Sequence, residues 1–491
     1  MSLGVLALDQ GSHASRACIF DESGGLCASA SVPVITRRPA ALHVEHDAYE
    51  LVSTLKTAAE HALLMARREQ PRLELAAAGL AVQRSTIVCC SRIDGAALTP
   101  AISWQDRRNA AWLESLAPHA ARVRALTGLP LSPHYGASKI RWCLDNLPAV
   151  ARAAAAGELL ATPLASYLAL QLGGSGARAE AASVDAANAA RTLLFDSRRL
   201  DWSDELLSRF AIERAWLPRN APTRGHWGTL RLPGQDVQLR AVTGDQSAVP
   251  YAAGAPDAAT VYVNLGTGAF IQRPLHSRPA SPEPLLGSVL SRDAEGAIYS
   301  LEGTVNGAGS AVTWFCAQER CTEDVLWPAL ETLPDGTRLP VFLNGIGGLG
   351  SPWWRVDLES RYVDVVPAGV DVNGSLPSNT VLRFAALVES IAFMIAANAA
   401  VLTQQAGRPR RVVLAGGMSR SGWLCRRLAA LIELPVEVID AEASARGVAQ
   451  LAAPEIGSRW THALAHSCRA HPNAELRARY RQFMDLVAEA R

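Results

Sequence analysis

The sequence predicts a mixed α/β fold built as two duplicated halves, and three observations carry that expectation. The chain has 491 residues, 49% of them hydrophobic, more than one core holds, so two or three domains are expected. Its first hundred residues read as an antiparallel meander followed by an α/β crossover. A glycine-containing hairpin like the first one then recurs far downstream, with Asn264 standing where Asp9 stands in the first.

The elements come in order along the chain. Val5 to Leu8 reads as a buried strand ending in Asp9, Gln10 to Ser15 as a polar turn, and Arg16 to Asp21 as the returning strand. Glu22 to Gly25 turns into a third strand, Leu26 to Val34. Leu51, Leu55, Ala58, Ala62 and Met65 recur at helical spacing, and Ala76 to Val82 returns as a buried strand. In the second half, Val261 to Asn264 leads into Leu265 to Gly268, and Ala269 to Gln272 returns. The boundary is expected near the Ala/Gly/Pro-rich stretch from Pro250 to Ala258, giving halves at 1–250 and 251–491. A Gly-rich run comes next at Asn344 to Gly350, then an apolar helix near 380–402. A strand from Arg411 to Leu414 runs into Gly416-Gly417, and a helix opens near Ser421 and continues through Leu431. The polar tail beyond His462 ends in a capping helix, Glu475 to Arg491.

Composition excludes several partners. Lys plus Arg total 47 and Asp plus Glu 46, a net charge of +1, with a pI near 7.7; nothing favours nucleic acid or an acidic membrane. The apolar content also excludes global disorder. Lys56 and Lys139 are the only lysines, so any site that usually relies on a lysine is expected to use something else. Nine scattered cysteines, none in CxxC spacing, indicate neither zinc nor a disulfide framework, so reduced thiols in a cytoplasmic protein are expected. The start, Met1 to Gly4, shows no charged region leading an apolar segment, so no signal peptide is expected. The stretch from Phe384 to Leu402 is long enough for a membrane, but Glu389 and Asn398 within it favour a buried helix over membrane insertion. The Arg clusters at 408–411 and 426–427 read as solvated surface, and Trp353-Trp354 as packing rather than a sugar platform.

Three glycine turns, each after an apolar strand, suggest a polyphosphate held by backbone amides. No GxxxxGK[ST] run exists, so this is not a P-loop. Asp9 at a strand end suits a magnesium-linked carboxylate, or simply stabilises its turn. Asp245, in Thr243-Gly244-Asp245-Gln246, lies where the halves join; it could accept the proton of an attacking alcohol, or begin an ordinary turn.

Taken together, eight segments resemble the FGGY carbohydrate kinases, their glycerol kinase branch in particular. They are ALDQGSHASRACIFD at 7–21, SWQDRR at 103–108, TGLPLSPHYGASKIRWCLDNLP at 127–148 and TGDQSA at 243–248. NLGTGAF at 264–270, LEGTVNGAGSAVTW at 301–314, NGIGGLGSPWWR at 344–355 and AGGMSRSGWL at 415–424 complete the series. All stand in family order across nearly the whole chain.

The resemblance implies two actin/ribonuclease H-like domains with an interdomain cleft that takes ATP, Mg²⁺ and a small polyol or sugar. By matching position it implies Asp9 as the magnesium-linked residue, and Gly11, Ser12 and Arg16 in the first phosphate loop. Gly266, Thr267 and Gly268 would form the second loop, while Gly309, Gly416 and Gly417 would border the nucleotide, with Met418 and Ser419 nearby. Asp245 matches the base, and Gln246, Gln83 and Arg84 match substrate-binding positions. Trp104 and Phe270 would be apolar walls, and His134 with Tyr135 stands at a further substrate position. A homodimer or homotetramer is compatible with the family, the sequence itself setting no oligomeric state.

Four positions depart from the branch pattern: Ser85 where a glutamate is expected after Arg84, His134 for a tyrosine, His13 for a threonine and Ala415 for an aspartate. Losing an acceptor for a substrate hydroxyl alters specificity. The expected activity is therefore ATP-dependent phosphorylation of a terminal hydroxyl, glycerol-kinase-like. A kinase for a ketopentose or tetritol, or an actin-fold regulator without transfer activity, are the alternatives.

Overall fold

The computed structural model describes residues 2–173, 182–334, 336–363, 378–439, 442–460 and 464–490. In the first half, β1 (Ser2–Gln10), β2 (Ala14–Asp21) and β3 (Leu26–Pro33) form the expected meander. Helix α1 (Ala48–Glu69) then crosses to β4 (Leu73–Val82), which runs parallel to β1. Asp47 caps α1 by accepting from the amides of Tyr49 and Glu50. The buried stripe is Leu51, Leu55, Ala58, Ala62 and Ala66. Met65, expected on that stripe, is 46% exposed; after Ala62 a step of four residues stays on the buried face and a step of three turns away.

Helix α2 (Gly136–Asn146) belongs to the same half and buries Ile140, Cys143 and Leu144. Strands β5 (Thr229–Leu232) and β6 (Gln235–Gly244) complete a six-stranded sheet of order β5-β6-β4-β1-β2-β3. The second half carries β7 (Thr260–Leu265), β8 (Ala269–Leu275), β9 (Leu286–Asp293), β10 (Gly296–Val305), β11 (Arg411–Ala415), β12 (Val436–Ile439) and β13 (Leu464–Cys468). Its sheet has the order β9-β10-β8-β7-β11-β12-β13.

The duplication is visible in the strand directions. Reading β3-β2-β1-β4-β6-β5 beside β10-β8-β7-β11-β12-β13, both show two antiparallel pairings, two parallel ones and a final antiparallel one. β9 is the added strand. Asp9 and Asn264 are each the penultimate residue of the equivalent strand, β1 and β7.

Helices α3 (Gly309–Glu319), α4 (Ser378–Ala406), α5 (Gly422–Ile432), α6 (Ala443–Ala452) and α7 (Ala474–Glu489) complete the second half. Phe384, Leu387, Ile391 and Ile395 on α4 are buried in its core, and 89% of the helix's apolar window lies inside the molecule. Glu389 and Asn398 are satisfied there. Glu389 accepts from Nε of both Arg427 and Arg479, and Asn398 exchanges hydrogen bonds with Ser351. Arg427 is thus not the solvated residue expected of it: its guanidinium also lies over the Trp423 ring. Arg411 likewise pairs with Glu437 at 2.9 Å, because a neighbouring parallel strand brings that carboxylate alongside. Trp353 packs on the same core and Trp354 donates to the Pro284 carbonyl, in keeping with packing. All nine cysteines are free. His462 and Arg491, at the ends of the expected tail, lie outside the described residues.

Helix α6 joins the second half to the first. Though it comes late in the chain, it packs on β1, β4 and β6 of the first sheet. Gly447 allows this: a Cβ there would lie 1.9 Å from the Ala248 carbonyl oxygen, closer than any packing tolerates.

Candidate active site

The site is assembled where β1, β6 and β7 end. Asp9 closes the buried apolar run of β1, and the turn beyond it is tied by the Gly11 amide donating to the Ala14 carbonyl at 3.1 Å. The Ser444 hydroxyl, at the start of α6, donates to Asp9 Oδ2 at 2.7 Å. Two residues earlier, Glu442 pairs with Arg16 on β2. Burial pushes the Asp9 carboxyl up to about 6; the Ser444 bond opposes this and the charge of Asp245 adds to it. Asp9 and Asp245 stand at the same end of the sheet, because Gln10 of β1 and Gly244 of β6 both pair with Val82 of the β4 strand between them. His13 is exposed at the tip of the turn.

Asp245 follows Gly244, the last residue of β6, and opens a short helical turn, Asp245–Ala248. Its Oδ1 accepts from the Gln246 amide at 2.7 Å. Burial raises its pKa, against the charges of Arg84 and Arg191. Asn264, at the end of β7, donates from Nδ2 to Gln246 Oε1 at 3.1 Å, so the second hairpin reaches the residue beside Asp245.

The residues expected to bound a polyol extend from the same strand ends. Ser12 donates to Gln83 Oε1 at 2.6 Å and accepts from Trp104 Nε1 at 2.9 Å, while Gln83 Nε2 is buried without a partner. The Trp104 ring lies 5.6 Å from His134, which meets Tyr135 edge-on at 4.9 Å. Burial, reinforced by the charges of Lys139, Arg191 and Arg84, holds His134 well below the usual imidazole range, so it is neutral. Phe270 comes from the second sheet, on β8 opposite Asn264, whose side chain bonds Gln246.

Arg84 is placed differently from a simple substrate ligand. Its Nη1 and Nη2 donate to Glu302 Oε1 and Oε2 at 3.0 and 3.1 Å. Arg191 also pairs with Glu302, and Ser300 donates to it at 2.9 Å. All three charged side chains are buried, and the two arginines hold the Glu302 carboxyl far below the usual range despite its burial. The stem of Arg84 passes over Gly244, where a Cβ would come within 2.6 Å of it; this brings the guanidinium beside Asp245. Next to Arg84, Ser85 has a left-handed backbone, φ +66°, and a buried hydroxyl with no partner.

On the nucleotide side, the second loop folds on itself through the Gly266 amide donating to the Gly268 carbonyl at 2.9 Å. The amides of Gly309 and Ser310, opening α3, donate to the Gly266 and Thr267 carbonyls. Gly266 and Thr267 are exposed, as are Gly416 and Gly417. Gly416 has φ +90°, and a Cβ there would lie 2.4 Å from the Leu265 carbonyl oxygen; only glycine lets the β11 turn sit against the second loop. Met418 and Ser419 are buried behind it. Exposed glycine backbone at strand ends, in two equivalent hairpins and a third turn, suits a polyphosphate.

Sequence reasoning missed Glu302, Arg191, Ser444 and Lys139. Glu302 carried one signal, an acid inside the otherwise apolar run of β10. Lys139 carried another, a lysine on the apolar face of α2 in a chain that uses arginine almost everywhere. Its ammonium donates to the carbonyls of Ser85 and His134 at 2.8 and 2.7 Å. Burial pulls it down to about 7, against the charge of Asp106. Arg191 and Ser444 gave no local signal.

Comparison with known proteins agrees with this geometry. Residues 4–263 match the N-terminal domain of the FGGY family of carbohydrate kinases, and residues 261–455 its C-terminal domain. The chain is 32% identical over 470 residues to a glycerol kinase of Alcanivorax borkumensis, covering 92% of this chain and 90% of that one. It is 34% identical over 468 residues to a glycerol kinase of Rhodospirillum rubrum, covering 91% and 89%. Among solved structures, Plasmodium falciparum glycerol kinase with ADP superposes with a TM-score of 0.84 at 20% identity, covering 99% and 98% of the chains. A xylulose kinase from Rhodospirillum rubrum gives 0.81 at 19% identity, again over 99% and 98%.

Proposed function

The chain belongs to the FGGY family of carbohydrate kinases, and from that premise we propose that it phosphorylates a terminal hydroxyl of glycerol, with Asp245 as the base. The protein is an ATP-dependent, glycerol-kinase-like phosphotransferase acting on a small polyol or sugar; the regulator alternative is set aside. What supports the finer reading is one observation: Asp9 and Asp245 stand at the same end of the first sheet, two strands apart, and Asn264 of the second hairpin bonds the residue beside Asp245.

The steps assigned to this chain's residues are few. The exposed glycine turns at 266–268 and 416–417, with the first loop at Gly11, Ser12 and Arg16, cradle the triphosphate. Trp104, His134, Tyr135, Gln83, Gln246 and Phe270 bound the polyol. Asp245 orients the attacking hydroxyl and takes its proton. In a loose transition state that proton leaves late, so a carboxylate of modest basicity suffices. Arg84 and Arg191 oppose the rise that burial imposes on the Asp245 carboxyl. Closure of the halves, proposed as 1–250 and 251–491, excludes water and aligns the hydroxyl with the γ-phosphate.

The residues present fit a magnesium ion. Burial raises both carboxyls, and the charge of Asp245 adds to the rise at Asp9, an arrangement a cation relieves. Mg²⁺ commonly takes one or two carboxylates plus phosphates and waters. Asp9 would hold it, and when bound it would supply charge neutralisation at the phosphates. The free cysteines and the use of ATP support a cytoplasmic enzyme.

A second reading has one observation in its favour: Ser85 is small, with a buried and unpartnered hydroxyl, which suits a longer substrate such as a tetritol or ketopentose. Coupled ADP release measured across glycerol, erythritol, threitol, xylulose and ribulose decides between them. Glycerol is expected to give the highest kcat/KM. A tetritol or ketopentose leading by about tenfold would replace the proposal with the second reading, and no ADP release on any of them would refute both.

A further inference from the structure

In an arginine-biased chain, one of only two lysines is buried in the first turn of α2, 1% exposed. Three loops meet there. The amides of Gly136 and Ala137 donate to the carbonyls of Arg191 and Thr192 at 3.2 and 2.7 Å. The Lys139 ammonium takes the Ser85 carbonyl at 2.8 Å and the His134 carbonyl at 2.7 Å. Thus the backbone just after Arg84, in its left-handed turn, and the backbone of His134 are joined through a single atom.

We propose that Lys139 is the positioning residue of the polyol site, the point donor that sets the loop carrying Arg84 against the loop carrying His134. A lysine suits the task and an arginine does not. An ammonium is a compact donor with three hydrogens that converge on carbonyls from different directions. A guanidinium is a larger planar fork whose donors point in parallel, suited to one carboxylate. Lys139 is 1% exposed, so a larger head there would have to displace packed neighbours. If either tie is lost, the Ser85 turn relaxes, Arg84 swings from Glu302 and Asp245, and the His134 ring leaves Trp104. Lys139 itself touches neither substrate nor reacting atoms.

The proposal rests on the polyol-kinase reading for its substrate half and is tested separately from it. In the full chain, Lys139→Met keeps the stem and removes the donors. With glycerol as the probe, kcat/KM for glycerol should fall about 30-fold, chiefly through KM, while KM for ATP stays within about twofold. Amide hydrogen exchange over residues 83–86 and 134–137 should quicken by about tenfold, with residues 260–275 unchanged. Lys139→Arg should show the same defects. If Lys139→Met does not fold, Lys139→Gln serves for the exchange measurement. Unchanged exchange in both segments, recovery by Lys139→Arg, or a parallel loss of ATP and glycerol binding would overturn the proposal. If the wild-type enzyme phosphorylates no polyol, the substrate reading falls, while the exchange measurement still decides the role of Lys139.

Discussion

Ser444 and Asp9 stand at opposite ends of the chain, yet the serine hydroxyl donates to the aspartate carboxylate at 2.7 Å. The bond exists because α6, made in the second half, is seated on the sheet of the first. With Glu442 pairing Arg16 from the same helix start, the second half holds both ends of the first hairpin turn. The geometry of that turn thus depends on how the two halves are docked.

Ser444→Ala removes a hydrogen bond to a charged group, worth about 1.5–3 kcal/mol. It should lower kcat/KM for ATP by about tenfold or more, while kcat/KM for the polyol at saturating ATP changes less. Steady-state kinetics at varied ATP reads this, and an unchanged ATP dependence would remove Ser444 from the site.

Asp245→Asn keeps the shape of the side chain and loses the proton acceptor. Transfer should fall by about 10²–10⁴, with nucleotide affinity, read by calorimetry, nearly unchanged. Full activity in this variant would refute the base assignment.

The pH profile comes from the two raised carboxyls. Asp9 titrates near 6 and Asp245 above its ordinary value, and both must be ionised to act, so kcat/KM should drop as pH falls through about 6. Because the groups interact, the limb reports the pair. The stability effect has the opposite sign: a carboxyl whose folded pKa is raised binds protons better in the folded state, so Asp9 destabilises the fold above about 6 and ceases to as pH falls, with Asp245 acting in the same direction. A profile flat down to about pH 5, measured with a coupled assay corrected for its helper enzymes, would contradict this.

Glu302→Gln leaves Arg84 and Arg191 buried without the carboxylate they share. Breaking such a group costs about 3–5 kcal/mol, read as a lower denaturation midpoint in urea. The polyol KM should rise as well, because Arg84 loses its anchor beside Asp245. A variant with wild-type stability would show that water reaches the two arginines.

Much of this was legible in local patterns. The meander, the α1 crossover and the two equivalent hairpins were announced by apolar runs ending in glycine turns, and Asp9, Asp245 and the glycines of the loops were marked by their places at strand ends. The helix at 378–406 was legible too, because burial of so apolar a segment is its most favourable fate. Arg84 was marked as substrate-facing, but its actual partner, Glu302, sits 218 residues further on. Arg427 was read as solvated for the same reason: the carboxylate it meets is on another helix.

The sequence by itself determined which residues form strands and turns, since alternation, apolar runs and glycine act over a few neighbouring positions. It also determined the duplicated plan and the residue types available for phosphate and proton chemistry. Only the tertiary structure decided which charges neutralise each other, that Ser444 reaches Asp9, and that one buried lysine joins two loops of the site. Hydrogen bonds and ion pairs depend on distances of a few ångströms, and those are set when sheets and helices dock, not by spacing along the chain.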